Sequence, residues 1–446
     1  MGIGIIIIAW ILAWPGFCQT PQQADVVLWY DKPGETVSLN AQLAIATEAE
    51  SIVQEPDYRF NGTISREVLE NYLDRSVTMA FFLVKGVAER GRQPYAYRED
   101  DIRMIQNIGA KFIGRAIYRW GGESRLNEPE FWSGARDLIE RIHVFDPDVI
   151  FQGCLFEMIS RDVDNVKIPA WVFTEFDLPV EARTFSYEAM LNPDGKMASH
   201  WGRSGVPDVT QLETQMLFFY LAGAYVNVGV EALHLGQVGL IGMADPGLKE
   251  WSKLLKRIRA YASVHARRHM VLLDAHVPTW GMIVEGVSLL DFNTFPLRIK
   301  EVVDKPYQGM LEVGHLDAIF NKSKGCISPS GWKCDSLPYL VELDNYGRDR
   351  NKANVADTHS IFVWGWDEIS WFSLQEESYR NRWLEYAYDW IKQTDVNGHL
   401  QMPVSRMISC PNETRGSYRA NTRSPACPIG YSQEKTIKNI WSRTPQ

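Results

Sequence analysis

From about residue 75 onward the chain repeats one pattern: a short apolar run, a polar loop, a stretch of helical period, then another apolar run. Short apolar runs bounded by turn residues read as buried strands, here over 78–83, 112–118, 149–156, 225–233, 270–276, 289–295, 339–344 and 360–366. Helical period fills 99–108, 130–145, 209–224, 248–267 and 378–393. Strands that alternate with helices predict a parallel sheet, because parallel neighbours need a long crossover. Eight such strands predict an α/β fold, the (β/α)8 TIM barrel. About fifty residues separate the third strand from the next helix, which predicts a long insertion acting as a binding loop or lid. Residues 1–18 read as a signal peptide, 19–395 as the barrel with an N-terminal extension, and 396–446 as a small Cys-bearing C-terminal appendage.

The signal reading rests on the apolar run Ile3 to Trp14, too short to span a bilayer and suited to a signal core. It departs from the usual pattern in having no Lys or Arg before the run. No other stretch is expected to span a membrane, so the protein is expected to be secreted and extracellular. Cysteine usage agrees: Cys326–Cys334 and Cys410–Cys427 are candidate disulfides, with Cys154 a buried thiol. Sequons at Asn61, Asn321 and Asn412 are candidate glycosylation sites. A net charge of −9 argues against nucleic acid as the main partner. The 16 Trp and 18 Tyr suit a large core, and equally the stacking of rings on the apolar faces of sugars.

Barrel enzymes gather their chemistry at the C-terminal ends of the strands. Glu157 ends the third predicted strand, and alternation turns Glu231 of the fourth toward the axis, with His234 and Gln237 just beyond. Asp274 and His276 end the fifth. Glu342 and Asp344 end the seventh, followed by Asn345, and Trp366 ends the eighth, followed by two more carboxylates. Any one of these acids has an ordinary reading as a cap or surface charge. Their convergence predicts an acidic pocket, because a carboxylate after an apolar strand must meet water, a partner or a substrate.

Paired carboxylates suit cleavage of a glycosidic bond, one protonating the leaving oxygen while the other attacks the anomeric carbon or activates water. The catalytic assignment is Glu231 as acid/base and Glu342 as nucleophile, with Glu157 next in line and Asp344 after it. His234, Gln237, Asp274, His276, Asp344, Asn345 and Trp366 are candidate sugar ligands; the two histidines read equally well as structural. Trp332, in a Lys-bearing loop between Cys326 and Cys334, is a further candidate for gripping an anionic sugar. Arg115, Arg119 and Arg298 are placed to pair with the carboxylates or with anionic groups on a ligand. Asn127-Glu128-Pro129 looks like a glycosidase signature, but it precedes a helix and reads as a cap.

Glu231 and Glu342 in their strand contexts resemble the retaining glycoside hydrolases built on barrels. The runs 231–237 and 337–345 look like enzymes that digest marine sulfated polysaccharides, of the endo-fucanase type. The resemblance implies a secreted hydrolase of a polysaccharide, with a sulfated, fucan-like polymer as the narrower expectation, using two carboxylates and neither metal nor cofactor. The fourth strand departs from it in lacking Asn-Glu-Pro, which bears on the nucleophile. Two rival readings are a catalytically inactive, lectin-like glycan-binding barrel and a metal-dependent hydrolase using Asp274, His276, His234 and Glu231.

Overall fold

Strands covered on both faces need apolar side chains on both, and the sequence supplies such runs. The strands β1 (Ser76–Met79), β2 (Phe112–Ile117), β3 (Ile150–Cys154), β6 (Asn293–Pro296) and β7 (Tyr339–Glu342) are buried at every residue. The computed structural model describes residues 56–84, 97–278, 281–302, 304–305, 307–321, 324–349, 361–409 and 416–443. They belong to one compact unit, Gln54–Gln446. The expected signal segment, Cys410 and Asn412 lie outside the described residues, while Asn61 and Asn321 are exposed.

With β4 (Ala232–Gln237), β5 (Leu272–His276), β8 (Gly398–Leu400), β9 (Met402–Ile408) and β10 (Gly416–Arg419), these strands form one ten-stranded sheet. Its order is β8-β7-β6-β5-β4-β3-β2-β1-β9-β10. Every neighbouring pair is parallel except β9 with β10. Only Gln401 separates β8 from β9, so one end of the parallel row runs directly into the other. Gln401 bonds to both sides: its backbone N–H donates to Val341 O on β7, and its side chain accepts from Thr78 and donates to Ser76 on β1. The sheet is therefore curled and barrel-like.

Helices cover its outer face: α2 (Arg98–Ile108), α3 (Pro129–Phe145), α4 (Leu212–Asn227), α5 (Lys249–His265) and α6 (Glu377–Thr394), each between successive parallel strands. Glu128 is the N-cap of α3 and Pro129 its first residue, so the Asn-Glu-Pro tripeptide does start a helix. Among the described residues, short two-residue strands rather than helices connect β5 to β6 and β6 to β7.

Two predicted strands are displaced. The fourth was expected over 225–233, but α4 continues to Asn227 and β4 begins at Ala232. An apolar run that ends a buried helix and begins a buried strand has no periodicity to mark the change, and the break falls at Gly229, whose φ is +101°. The eighth was expected over 360–366, but 361–366 form turns with isolated bridges. The parallel partner of β1 and β7 is instead drawn from 398–408, so the tail expected as an appendage supplies strands to the main sheet. Gln401, Pro403, Ser405 and Arg406 interrupt the apolar pattern there, and a proline demotes a run that reads as a strand.

The strand starts are sealed by α1 (Arg66–Asp74), whose Val68, Leu69, Tyr72 and Leu73 pack with Phe112, Ile150, Ala232, Leu272 and Leu340. Trp332 belongs to this base: its indole N–H donates to Ile64 O at 3.1 Å. It lies at the opposite end from the expected sugar site. The same correction applies to Glu231. It precedes β4 instead of ending it, and it is almost fully buried, 2.7 Å from Arg267 and 3.7 Å from Arg268. Arg268 in turn covers the Phe60 ring and donates to Tyr72. Glu231 is thus a structural ion pair at the base. Arg267→Ala is expected to lower stability by roughly 3 kcal/mol, the low end for breaking a buried pair because Arg267 is 35% exposed. Urea unfolding measures this.

Candidate active site

The far ends of the strands carry polar residues, and the register brings them level. Cys154 pairs with His234, His234 with Asp274, Gln237 with His276, His276 with Thr294, and Pro296 with Glu342. In-register neighbours on parallel strands point the same way, so this layer of side chains converges inside the curl.

Glu342, the last residue of β7, is its centre. Arg115 of β2 donates to both its oxygens, by Nη2 and, at 3.0 Å, by Nε. Arg406 of β9 donates to it at 3.2 Å, and His276 Nε2 lies 3.4 Å away. Burial pushes the Glu342 carboxyl up. Arg115, then Arg406, then the His276 bond outweigh it and hold the group well below the usual carboxylate range, so it is ionised. Arg115 reaches this position at a cost: its φ is +56°, a left-handed conformation in mid-strand, and its backbone N–H is diverted to Gln152 Oε1 at 3.0 Å.

Beside this cluster, Asp274 accepts from Gln152 at 2.6 Å and Thr294 at 2.5 Å, and its Oδ2 lies 2.7 Å from His234 Nδ1. With Asp274 at Nδ1, His234 carries its proton there. Burial pushes His234 below the usual imidazole value even against Asp274, so the ring is neutral. Its Nε2 has no hydrogen-bond partner, and the ring meets His276 edge to face at 5.0 Å.

Glu157 follows β3 and is buried, accepting from the Gln237 backbone N–H at 3.0 Å and its side chain at 2.9 Å. Asp344 lies 3.7 Å from Arg406 and 3.6 Å from Arg298. Arg298 also pairs with Glu368 at 2.9 Å; burial raises the Glu368 carboxyl to about 7. Asn345 donates to Met407 O, and half-buried Trp366 lies under Arg348 at 5.7 Å.

The structure thus gathers Glu342, Glu157, His234, Gln237, Asp274, His276 and Asp344 near the strand ends, and leaves Glu231 and Trp332 at the base. What the sequence reading missed is the role of Arg406, hidden in the supposed appendage, and the aromatic residues beside the charges. Phe156 packs against Tyr118 and Trp120 at 5.0 and 5.2 Å, and Arg115 lies over its ring at 5.5 Å. Their signal was available: Tyr118 ends the second predicted strand, Trp120 lies two residues beyond it, and Phe156 immediately precedes Glu157. A cavity of about 480 Å³ beside α1, lined by Arg66, Cys326, Lys333, Cys334 and Asp335, gathers no comparable set of acids and bases.

No protein-family profile matches the chain, and no curated protein matches it. Solved structures with some similarity include the acarbose-soaked debranching enzyme of Nostoc punctiforme, 10% identical, TM-score 0.39, over 86% of this chain and 82% of that one. Others are an α-galactosidase of Thermus thermophilus (14% identical, TM-score 0.32, 55% and 44% of the chains) and a GH27 β-L-arabinopyranosidase of Geobacillus stearothermophilus (11%, 0.28, 50% and 54%). The chain spans about half the length of the first matched structures.

The Glu342 cluster makes stability depend on pH. The folded value lies below the reference of 4.5, so the charge contributes stability above about pH 4.5, lost as pH falls through the folded value. Glu342→Gln removes the carboxylate that Arg115 and Arg406 share and leaves Arg406 only the more distant Asp344, an expected loss of roughly 3–5 kcal/mol near neutral pH. The difference from wild type should shrink in acid; urea unfolding at a series of pH values measures it.

Proposed function

We propose that this protein is a secreted glycoside hydrolase acting on a polysaccharide at the strand ends of a closed (β/α)8 barrel. Closure follows from taking β8 and β9 as one eighth strand interrupted at Gln401. The observation that carries the activity is Glu342: an ionised carboxylate, buried at the end of β7, in a layer that also holds two histidines and adjoins half-buried rings. A mouth with charged groups on its floor and rings on its wall matches a sugar, which has hydroxyl edges and an apolar face.

In this reading Glu342 is the nucleophile and Glu157, after β3, is the acid/base. Glu157 protonates the leaving oxygen while Glu342 attacks the anomeric carbon. Water, deprotonated by Glu157, then releases the sugar from Glu342. Glu231, at the base, takes no part. His276 beside Glu342, and Gln237 on Glu157, orient the two acids. Asp344, Asn345 and Trp366 flank the same end as sugar ligands. No metal is needed, and the alternative that used Glu231 as a ligand loses that ligand to the Arg267 pair.

The narrower substrate reading is a sulfated, fucan-like polymer. Its support is the resemblance of residues 337–345, which end at the site; residues 231–233 of the other resembling run lie toward the base. Cys326 and Cys334 are free thiols in the structure, yet they face each other on paired antiparallel strands with sulfurs 3.8 Å apart, a pair that would close into a disulfide in an oxidising, secreted setting. A second reading, a glycan-binding barrel without catalysis, is favoured by one observation: both Glu342 oxygens already accept from arginines.

Incubation with a panel of neutral and sulfated polysaccharides, reading new reducing ends, separates the two. Release by wild type, reduced roughly 10²–10⁴-fold in Glu157→Gln and lost in Glu342→Gln, supports the hydrolase. Glu231→Gln should keep the activity per folded molecule. Binding of a polymer with no new ends would establish the binding barrel instead.

A further inference from the structure

The rings beside the charged centre form a chain of contacts. Phe156 is next to Glu157 and touches Trp120, and Trp120 meets Trp201 at 5.4 Å with their planes at 69°. Trp120 comes from the end of β2, just before Gly121 and Gly122, both at positive φ. Trp201 comes from the segment between β3 and α4. All three rings are half-buried, and neither Phe156 nor Trp120 belongs to the main hydrophobic cluster.

The loop that carries Trp201 is pinned. Ile159 and Gly205 exchange both backbone hydrogen bonds at 3.0 Å, and the Trp201 N–H donates to Ser204 O at 3.0 Å. Trp201 is therefore fixed relative to Phe156, three residues before Ile159. Its indole N–H is hidden from solvent and has no hydrogen-bond partner.

From these contacts we propose that Phe156, Trp120 and Trp201 form a track for a polysaccharide chain, with successive sugar rings stacking outward from the Glu342 centre. The proposal rests on the carbohydrate reading above and adds that the substrate is a polymer held at several units, on the side of β2 and β3. Two indoles set at a steep angle to each other form a corner, which takes the apolar face of one sugar and the edge of the next. The fully buried Trp251 and Trp441 belong to the core, whereas Trp120 and Trp201 keep part of their rings exposed.

The test is affinity electrophoresis of the full chain through gels holding each polysaccharide of the panel, with reducing ends measured in parallel. Wild type should be retarded by at least one polymer. Trp120→Ala and Trp201→Ala should each weaken that retardation roughly 10-fold in dissociation constant. Trp201→Phe, which keeps a smaller ring, should fall in between, and circular dichroism establishes that each variant is folded. Retardation unchanged in both folded alanine variants overturns the track even if the enzyme releases reducing ends. No retardation of wild type by any polymer also overturns it. Retardation that depends on both tryptophans, with no new ends, upholds the track and removes the hydrolase reading.

Discussion

Everything at the strand ends depends on one buried carboxylate being outweighed by cations. Glu342 would be costly where it sits, and Arg115 from β2 and Arg406 from β9 make it tolerable, both donating to one of its oxygens. These strands are far apart along the chain, so the ion cluster ties the first part of the sheet to the last. The left-handed backbone of Arg115 is the local cost of that tie. The same cluster orders what surrounds it: Arg115 lies over Phe156, His276 approaches Glu342, and His234 packs on His276 with its tautomer set by Asp274.

The two ends of the curled sheet have opposite characters for a physical reason. The base is closed by α1 and Trp332 with apolar side chains, and its buried acid Glu231 is neutralised locally by arginines from the turn before β5. The other end collects polar groups in register on successive strands, with rings and loops around them. An ion pair at the base serves stability; a layer of mutually bonded acids, bases and amides beside half-buried rings is the arrangement that can engage a polar ligand.

Much of this was legible in the sequence. The alternation of apolar runs and helical stretches marked most of the parallel strands, and residues Asp274, His276 and Glu342 fall at the ends of their strands as the pattern implied. The failures have identifiable causes. Tyr225 and Val226 are as apolar as a strand but complete a buried helix, so the fourth strand was placed early and Glu231 was carried to the wrong end. Residues 398–408 contain a proline and several polar side chains that point into a polar interior, so they did not read as a strand, and Arg406 went unnoticed with them. Trp332 looked like a binding residue because an aromatic between cysteines and lysines gives no sign, from sequence alone, of which end of the curled sheet its loop reaches.

The most direct measurement of the central claim is a crystal structure of the Glu157→Gln protein soaked with oligosaccharides of the polymer it binds. The account predicts a sugar chain across the strand ends, with an anomeric carbon beside the Glu342 carboxylate and sugar rings lying on Phe156 and Trp120. A chain bound at the base beside Trp332, or one at the strand ends that never approaches Glu342, would contradict it.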